Sequence, residues 1–233
     1  MSSQTWRQNW VGEKCNVAFR LSKGEAGGGY PEAVIIVCAA LSALSAELWS
    51  GRGIDRVRFI EMLVRFGAHS NDCKTVSIPL LVQHLNNSSR SAEAQDIQRA
   101  FLLPSSARVL TGPEIDQSEE DVFSVWPHLE IKEVRNCSYA SILYSEIRSS
   151  YVHEYRPGAR ADSLPMTMLA DQRVSYINRM MGSLEMQRLV HIHVEWITQL
   201  AIELASAIDL LESTCPLPRP EVWWADGADS SVL

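Results

Sequence analysis

Apolar residues recurring at intervals of three and four set the first constraint on this chain. In "AVIIVCAALSALSAELW", Val34, Val37, Cys38, Leu41, Leu44 and Leu48 fall on one side of a helix that starts near Pro31 and runs to about Ser50. A second helix is expected from about Ile54 to Phe66, with Val57, Ile60, Leu63 and Val64 on one face and Gly67 at its end. A third runs from Ser138, which can cap it, to Tyr155, with Ala140, Leu143, Tyr144, Ile147 and Tyr151 as its stripe. Pro157 and Gly158 fix its end. The last, about Leu184 to Glu212, carries Val190, Val194, Ile197, Ala201, Leu204, Ala205, Ile208 and Leu211 before Pro216 and Pro218 stop it. Such stripes are best buried between antiparallel neighbours, so the fold expected is mainly all-α, a four-helix bundle with shorter pieces.

The rest of the chain is read more coarsely. Residues 1–30 read as an N-terminal extension ending in a flexible "GEAGGGY"; 31–212 form the helical domain, and 213–233 an acidic tail with Trp223 and Trp224 as a packing patch. "SIPLLVQHL", Ser77 to Leu85, fits strand and helix alike. Ser91 is expected to cap a short helix reaching Leu103, and a loop follows from Pro104 to about Ser118. Within 164–180, "PMTML" and "RVSYIN" around "ADQR" suggest a β-hairpin in which Val174 and Tyr176 share a face.

Composition narrows the function. A net charge of −7 argues against a broad basic field for duplex DNA, since phosphate contacts dominate such binding. The five cysteines show no CxxC spacing and are odd in number, which fits reduced thiols, with Cys38 and Cys137 as small buried residues, rather than a disulfide framework or a zinc site. No metal and no cofactor is expected. The first residues lack the pattern of a secretory signal, and the apolar run ending at Trp49 is short, serine-rich and broken by Glu47. The expectation is a cytoplasmic protein with no membrane partner.

The candidate site lies in "LYSEIRSSYVHEYRPG". Arg148 and His153 stand five residues apart, just before the Pro157–Gly158 stop. Spacing alone is weak, because chance yields roughly one such match in a chain of this kind, and Arg188 and His193 in "RLVHIH" repeat it. On a regular helix five residues place side chains about 140° apart, so convergence requires a nearby helix end, which only the first pair has. A histidine in a last helical turn, beside the carboxylate of Glu154, is expected to be raised toward neutrality and so suited to acid–base work. Arg148 can hold a phosphate and stabilise charge developing on it. The bland alternatives are a His153 that caps the last carbonyls of its helix, and an Arg148 paired with Glu146 or Glu154. Tyr144 and Tyr151 read as core or interface residues, Asp55 and Arg58 as a surface pair. His191 and His193, taken as helical, have the wrong spacing for a metal site.

These residues resemble the HEPN superfamily, whose motif is R-x4-6-H at the end of a helix in a bundle. "GIDRVRFIEMLVRFG" and "VSYINRM" resemble flanking segments of a bacterial branch, and the resemblance spans roughly Pro31 to Glu212. It implies an antiparallel four-helix bundle acting as a homodimer, with two motifs facing each other. It further implies a metal-independent endoribonuclease of toxin–antitoxin or phage-defence systems, with RNA or a nucleotide as ligand and an antitoxin or defence protein as partner. Arg148 and His153 would be its catalytic couple, supported by Ser149, Glu154 and Tyr144. Relatives often carry asparagine where Ser149 stands, and some members are non-catalytic binding modules, so that second reading stays open. A third, a helical ligand-responsive regulator, lacks a basic reading helix.

Overall fold

The computed structural model describes residues 4–103, 108–164, 166, 172–180, 186–214 and 223–228. The chain is mainly helical, with one small antiparallel sheet. Five long helical stretches make the main core: α1 (Trp6–Ser22), α2 (Tyr30–Leu48), α3 (Asp55–Arg65), the continuous helix formed by α10 (Tyr139–Ile142), a π-helical stretch (Leu143–Ser149) and α11 (Ser150–Glu154), and α12 (Val194–Thr214). The short helices are α4 (Ser70–Lys74), α5 (Ile78–Asn87), α6 (Ser91–Ala100), α7 (Gly112–Ile115), α8 (Glu119–Val125) and α9 (Ile131–Asn136). Among these, α5, α6, α8 and α9 enclose a second, smaller apolar cluster around Leu81, Leu85, Ile97, Val122 and Val134.

The periodic stripes behave as expected in α2, α3 and the α10–α11 helix. Val34, Val37, Cys38, Leu41 and Leu44 are fully buried, as are Ile60, Leu63 and Val64, and Leu143, Ile147 and Tyr151. Gly67 follows α3 with φ near +80°, a conformation glycine adopts without a Cβ penalty. The ambiguous segment resolves as helix α5, because the Ser77 hydroxyl accepts from the Leu80 amide and Pro79 sits in the first turn, where its missing N–H costs nothing. Ser91 is not a cap but the first helical residue of α6, behind Arg90. The expected loop after Leu103 contains a two-residue strand, β1 (Leu110–Thr111), and α7.

Two departures matter more. Within the expected N-terminal extension, Trp6–Ser22 is a helix that packs against α2 and α12. It opens with a capping box, Thr5 bonding the Gln8 amide and Gln8 returning to the Thr5 amide. Its buried residues, Val11, Cys15 and Ala18, do keep helical spacing, but they are small and surrounded by polar residues. Buried Arg7 adds ion pairs to Glu47 (2.9 Å), Asp209 and Glu212 (2.8 Å), which tie α1 to α2 and α12.

The second departure is that residues 186–192 are not the start of the last helix. They form strand β3 (Met186–Ile192), paired antiparallel with β2 (Val174–Met180) in the register Val174↔Ile192 and Tyr176↔Val190, while β1 lies on the other edge of β2. α12 therefore begins only at Val194, and Val190 belongs to the sheet. A run of apolar residues this short satisfies both periods, and the presence of a partner strand decides between them. "RVSYIN" is a strand as expected and Val174 and Tyr176 are both buried on it, but its hairpin partner is β3. Most of "PMTML" lies outside the described residues. Of the tail, residues 223–228 are packed: Trp224 is buried, its amide donates to the Glu61 carboxylate at 2.8 Å, and Arg135 stacks on its ring at 4.5 Å.

Among the described residues α2 is the one helix long and apolar enough to cross a bilayer by length and composition, and half of it is buried inside the protein. Cys15, Cys38, Cys73 and Cys137 are buried free thiols.

Candidate functional site

Ser138 caps the motif helix as expected, its hydroxyl accepting from the Ser141 amide. The helix then widens into the π-helical stretch that ends at Ser149, where the Ser150 hydroxyl donates to the Ser145 carbonyl. Such widened turns are uncommon and recur at functional sites. The helix closes at Tyr155, which adopts a left-handed φ of 56° and whose hydroxyl donates to the Glu32 carboxylate at the start of α2.

Beyond that end, Gly158 lies directly on the helix it has just left. Its amide donates to the Glu146 carbonyl at 2.7 Å, and a Cβ there would come within 2.2 Å of Glu146 Oε2 and 2.9 Å of its backbone Cα. The returning chain then borders β3, with the Asp162 amide donating to the Val190 carbonyl and the Val190 amide to the Arg160 carbonyl. Gly158→Ala is expected to destabilise the protein by about 1–3 kcal/mol, because the backbone at Glu146, and not only its side chain, must give way. Urea denaturation of the two proteins measures it.

Arg148 is half-buried. Its Nε donates to the Ser42 hydroxyl of α2 at 3.2 Å, and its guanidinium lies 5.3 Å from the centroid of the Tyr144 ring, which is itself set edge-on against Phe59. No carboxylate pairs with it among the described residues. The two acids expected as partners are engaged elsewhere: Glu146 with Arg160 (2.8 Å) and Glu154 with Arg156 (2.6 Å). Ser42, 106 residues distant, is the supporting residue that sequence reasoning did not find; its one sign is a hydroxyl in the apolar middle of α2, and Ser45 three residues on carries the same sign.

His153 is exposed at the helix end, with Val152 and Tyr155 exposed beside it. No hydrogen bond or ion pair joins it to Arg148 or to Glu154 among the described residues, so the expected proximity of Glu154 is not realised as a contact. Ser149 is half-buried, and Tyr151 is core, edge-on to Tyr30 at 6.1 Å. Asp55 and Arg58 do form a pair at the start of α3.

The competing pair, Arg188 and His193, does not converge. Residues an odd number apart on an extended chain point to opposite sides, and Arg188 Nε bonds Asn178 Oδ1 at 3.1 Å whereas His193 Nε2 lies 2.8 Å from the buried Ser175 hydroxyl. The extended chain instead brings His191 and His193 to one side, with ring centroids 5.0 Å apart, and stacks His191 on Tyr30 at 4.8 Å. Among the described residues no group of three His, Cys, Asp or Glu gathers as a metal ion would need.

Burial, reinforced by His193, pushes His191 down to about 4. The folded protein thus holds the ring neutral where an unfolded chain would take up a proton. That stabilisation is complete above the ordinary value of 6.5 and is lost as pH falls toward about 4. Its full size is roughly 3 kcal/mol. The wild type should therefore lose stability more steeply than His191→Gln between these pH values, as urea titrations across the range will show.

A cavity of about 570 Å³ lies elsewhere, lined by residues including Lys74, Thr75, Asp116, Tyr139 and Arg173. Asp116 accepts hydrogen bonds from the Tyr139 and Tyr176 hydroxyls at 2.5 and 2.6 Å and from the Ile78 amide at 3.2 Å. Burial pushes it up to about 7 against the pull of those donors. The network joins α5, α7, α10 and β2, which is a structural duty, and neither Arg148 nor His153 lines the cavity.

Comparison with protein families, with curated proteins and with solved structures finds no match to this chain.

Proposed function

We propose that the chain is a HEPN-type metal-independent endoribonuclease in which Arg148 holds the scissile phosphate and His153 moves the proton. The observation that carries the reading is the state of Arg148: a half-buried guanidinium, oriented by Ser42 and by the Tyr144 ring, with no carboxylate neutralising it among the described residues. An arginine held in this way offers its terminal N–H groups to an anion without first breaking an ion pair.

The chemistry balances without an added reactant. The ribose 2′-oxygen attacks the adjacent phosphorus, the bond to the 5′-oxygen breaks, one proton leaves the 2′-hydroxyl and one reaches the 5′-oxygen. The products are a 2′,3′-cyclic phosphate and a 5′-hydroxyl. Arg148 stabilises charge on the phosphoryl oxygens, and His153, exposed at the helix end, reaches a bound strand.

In this reading α2, α3, the α10–α11 helix and α12 are the four helices of the HEPN-like bundle, and α1 is an addition to it. The protein acts as a homodimer in the cytoplasm, in a toxin–antitoxin or phage-defence setting with a silencing partner. The second copy would supply the facing motif, since no hydrogen bond joins Arg148 to His153 within one chain among the described residues; exposed Val152 and Tyr155 beside His153 offer it an apolar margin.

One observation favours a second reading, a non-catalytic nucleotide- or partner-binding module: Glu154 is bound to Arg156 rather than supporting His153. Incubating the purified protein with single-stranded RNA in EDTA separates the two. Fragments ending in 2′,3′-cyclic phosphate are expected, and intact RNA with retained binding would replace the nuclease by the module.

A further inference from the structure

A second cavity, about 390 Å³, sits where α3, α5, α9 and the motif helix meet. Its volume falls within the range of small-molecule sites. Its polar wall is rich in donors: the guanidinium groups of Arg56 and Arg160, the imidazole of His84 and the carboxamides of Asn87 and Asn136, whereas the Ser145 hydroxyl donates to the Ser141 carbonyl at 2.8 Å.

Among the described residues no carboxylate lines it. The acids of this region stand behind the wall instead, where they fix the donors. Glu146 holds Arg160 through Nε at 2.9 Å, and Glu133, itself gripped by Arg90 at 2.8 Å, lies 3.4 Å from His84 Nε2. Arg56 is different: it donates to Asn136 Oδ1 at 2.6 Å and has no acidic partner among the described residues. That bond also turns the Asn136 amide so that its NH₂ remains a donor. The remaining ionisable wall group, Cys137, has its thiol pushed up to about 12 by burial and so adds no negative charge at neutral pH.

A cavity that concentrates donors and excludes acids, in a chain of net charge −7, selects an anion by local construction and not by the field of the whole protein. Two guanidinium groups and an imidazole around one space match the several acceptor oxygens of a phosphate. The volume leaves room for a polar remainder, and among the described residues the lining has no phenylalanine, tyrosine or tryptophan ring, the imidazole of His84 being its one ring.

We infer that this cavity binds a phosphomonoester with a hydrogen-bonding remainder, of sugar-phosphate or mononucleotide size, with Arg56 as its principal phosphate contact. The site is separate from Arg148 and His153 and does not rest on the nuclease reading.

The test is equilibrium binding by calorimetry, using ribose 5-phosphate, adenosine 5′-monophosphate and a short single-stranded RNA without terminal phosphates as probes on the full chain. Saturable binding of at least one phosphomonoester is expected, with affinity reduced at least about tenfold in Arg56→Gln. Exposed Asn87, at the rim, provides a second variant that leaves the packing alone: Asn87→Glu should weaken binding comparably by placing a negative charge at the entrance. The RNA arm distinguishes a free small molecule from the backbone of a strand. Binding of RNA alone, failure of every probe to saturate, or unchanged affinity in both variants would overturn the assignment. A cleaving protein that binds none of the small probes would sink this site and leave the nuclease standing.

Discussion

His153→Ala is expected to slow RNA cleavage in EDTA by about 10²- to 10⁴-fold, the usual contribution of a positioned acid–base group. The side chain is exposed and makes no described hydrogen bond or ion pair, so its removal should leave the fold intact and the loss should appear in rate rather than in stability. Arg148→Ala should cost about 10²–10³, as for a donor that stabilises developing oxyanion charge. It should also loosen the packing between the motif helix and α2, since the Ser42 bond goes with it. Ser42→Ala distinguishes orientation from charge: it leaves the guanidinium present but removes its anchor, and a smaller loss than that of Arg148→Ala is expected. If His153→Ala cuts RNA as fast as the wild type, His153 is not the proton carrier. Rates from single-turnover assays, with unfolding midpoints measured beside them, decide between these outcomes.

Arg7→Ala is expected to destabilise the folded chain by about 3 kcal/mol, at the lower end of the range for breaking a buried ion pair. Arg7 is only 6% exposed, and it faces Glu47, Asp209 and Glu212 at once. Removing it leaves Asp209, largely buried, without its cation, while Glu47 and Glu212 retain partial access to water. The loss therefore centres on one carboxylate and not on three. Arg20→Ala is the matched control. Its bridge to Glu25 is exposed on both sides, and its loss should cost less than about 1 kcal/mol. Denaturant unfolding of the two variants measures both. A near-neutral Arg7→Ala would mean that α1 contributes little to the fold.

The motif shows where a linear pattern reaches its limit. "EIRSSYVHEYRPG" announces a helix with a defined end, because Pro157 disfavours helical geometry before it and Gly158 permits a close return. It does not announce which acid meets which arginine. Glu146 and Glu154, two and six residues from Arg148, lie too far round the helix to be ideal partners, and each is taken by an arginine beyond the helix end: Glu154 by Arg156 just before Gly158, and Glu146 by Arg160 just after the turn that Gly158 makes possible.

What the sequence determined by itself is the set of helices with strong apolar stripes and chemical punctuation: α2, α3, the motif helix and most of α12, with Ser138, Gly67 and Pro157 marking ends. In these, local bonding and burial demand the same conformation, so the pattern suffices. Tertiary structure alone decided the rest. Residues 186–192 became a strand because β2 was available to pair with them, a choice that lies in the partner and not in the segment. α1 joined the core through small residues and one buried arginine, whose stabilisation exists only when the carboxylates of α2 and α12 surround it. The same holds for the two clusters of interest: the Ser42 anchor of Arg148 and the donor wall around Arg56 assemble groups far apart in the chain, and their meaning is fixed by distance in space, which spacing in sequence does not encode.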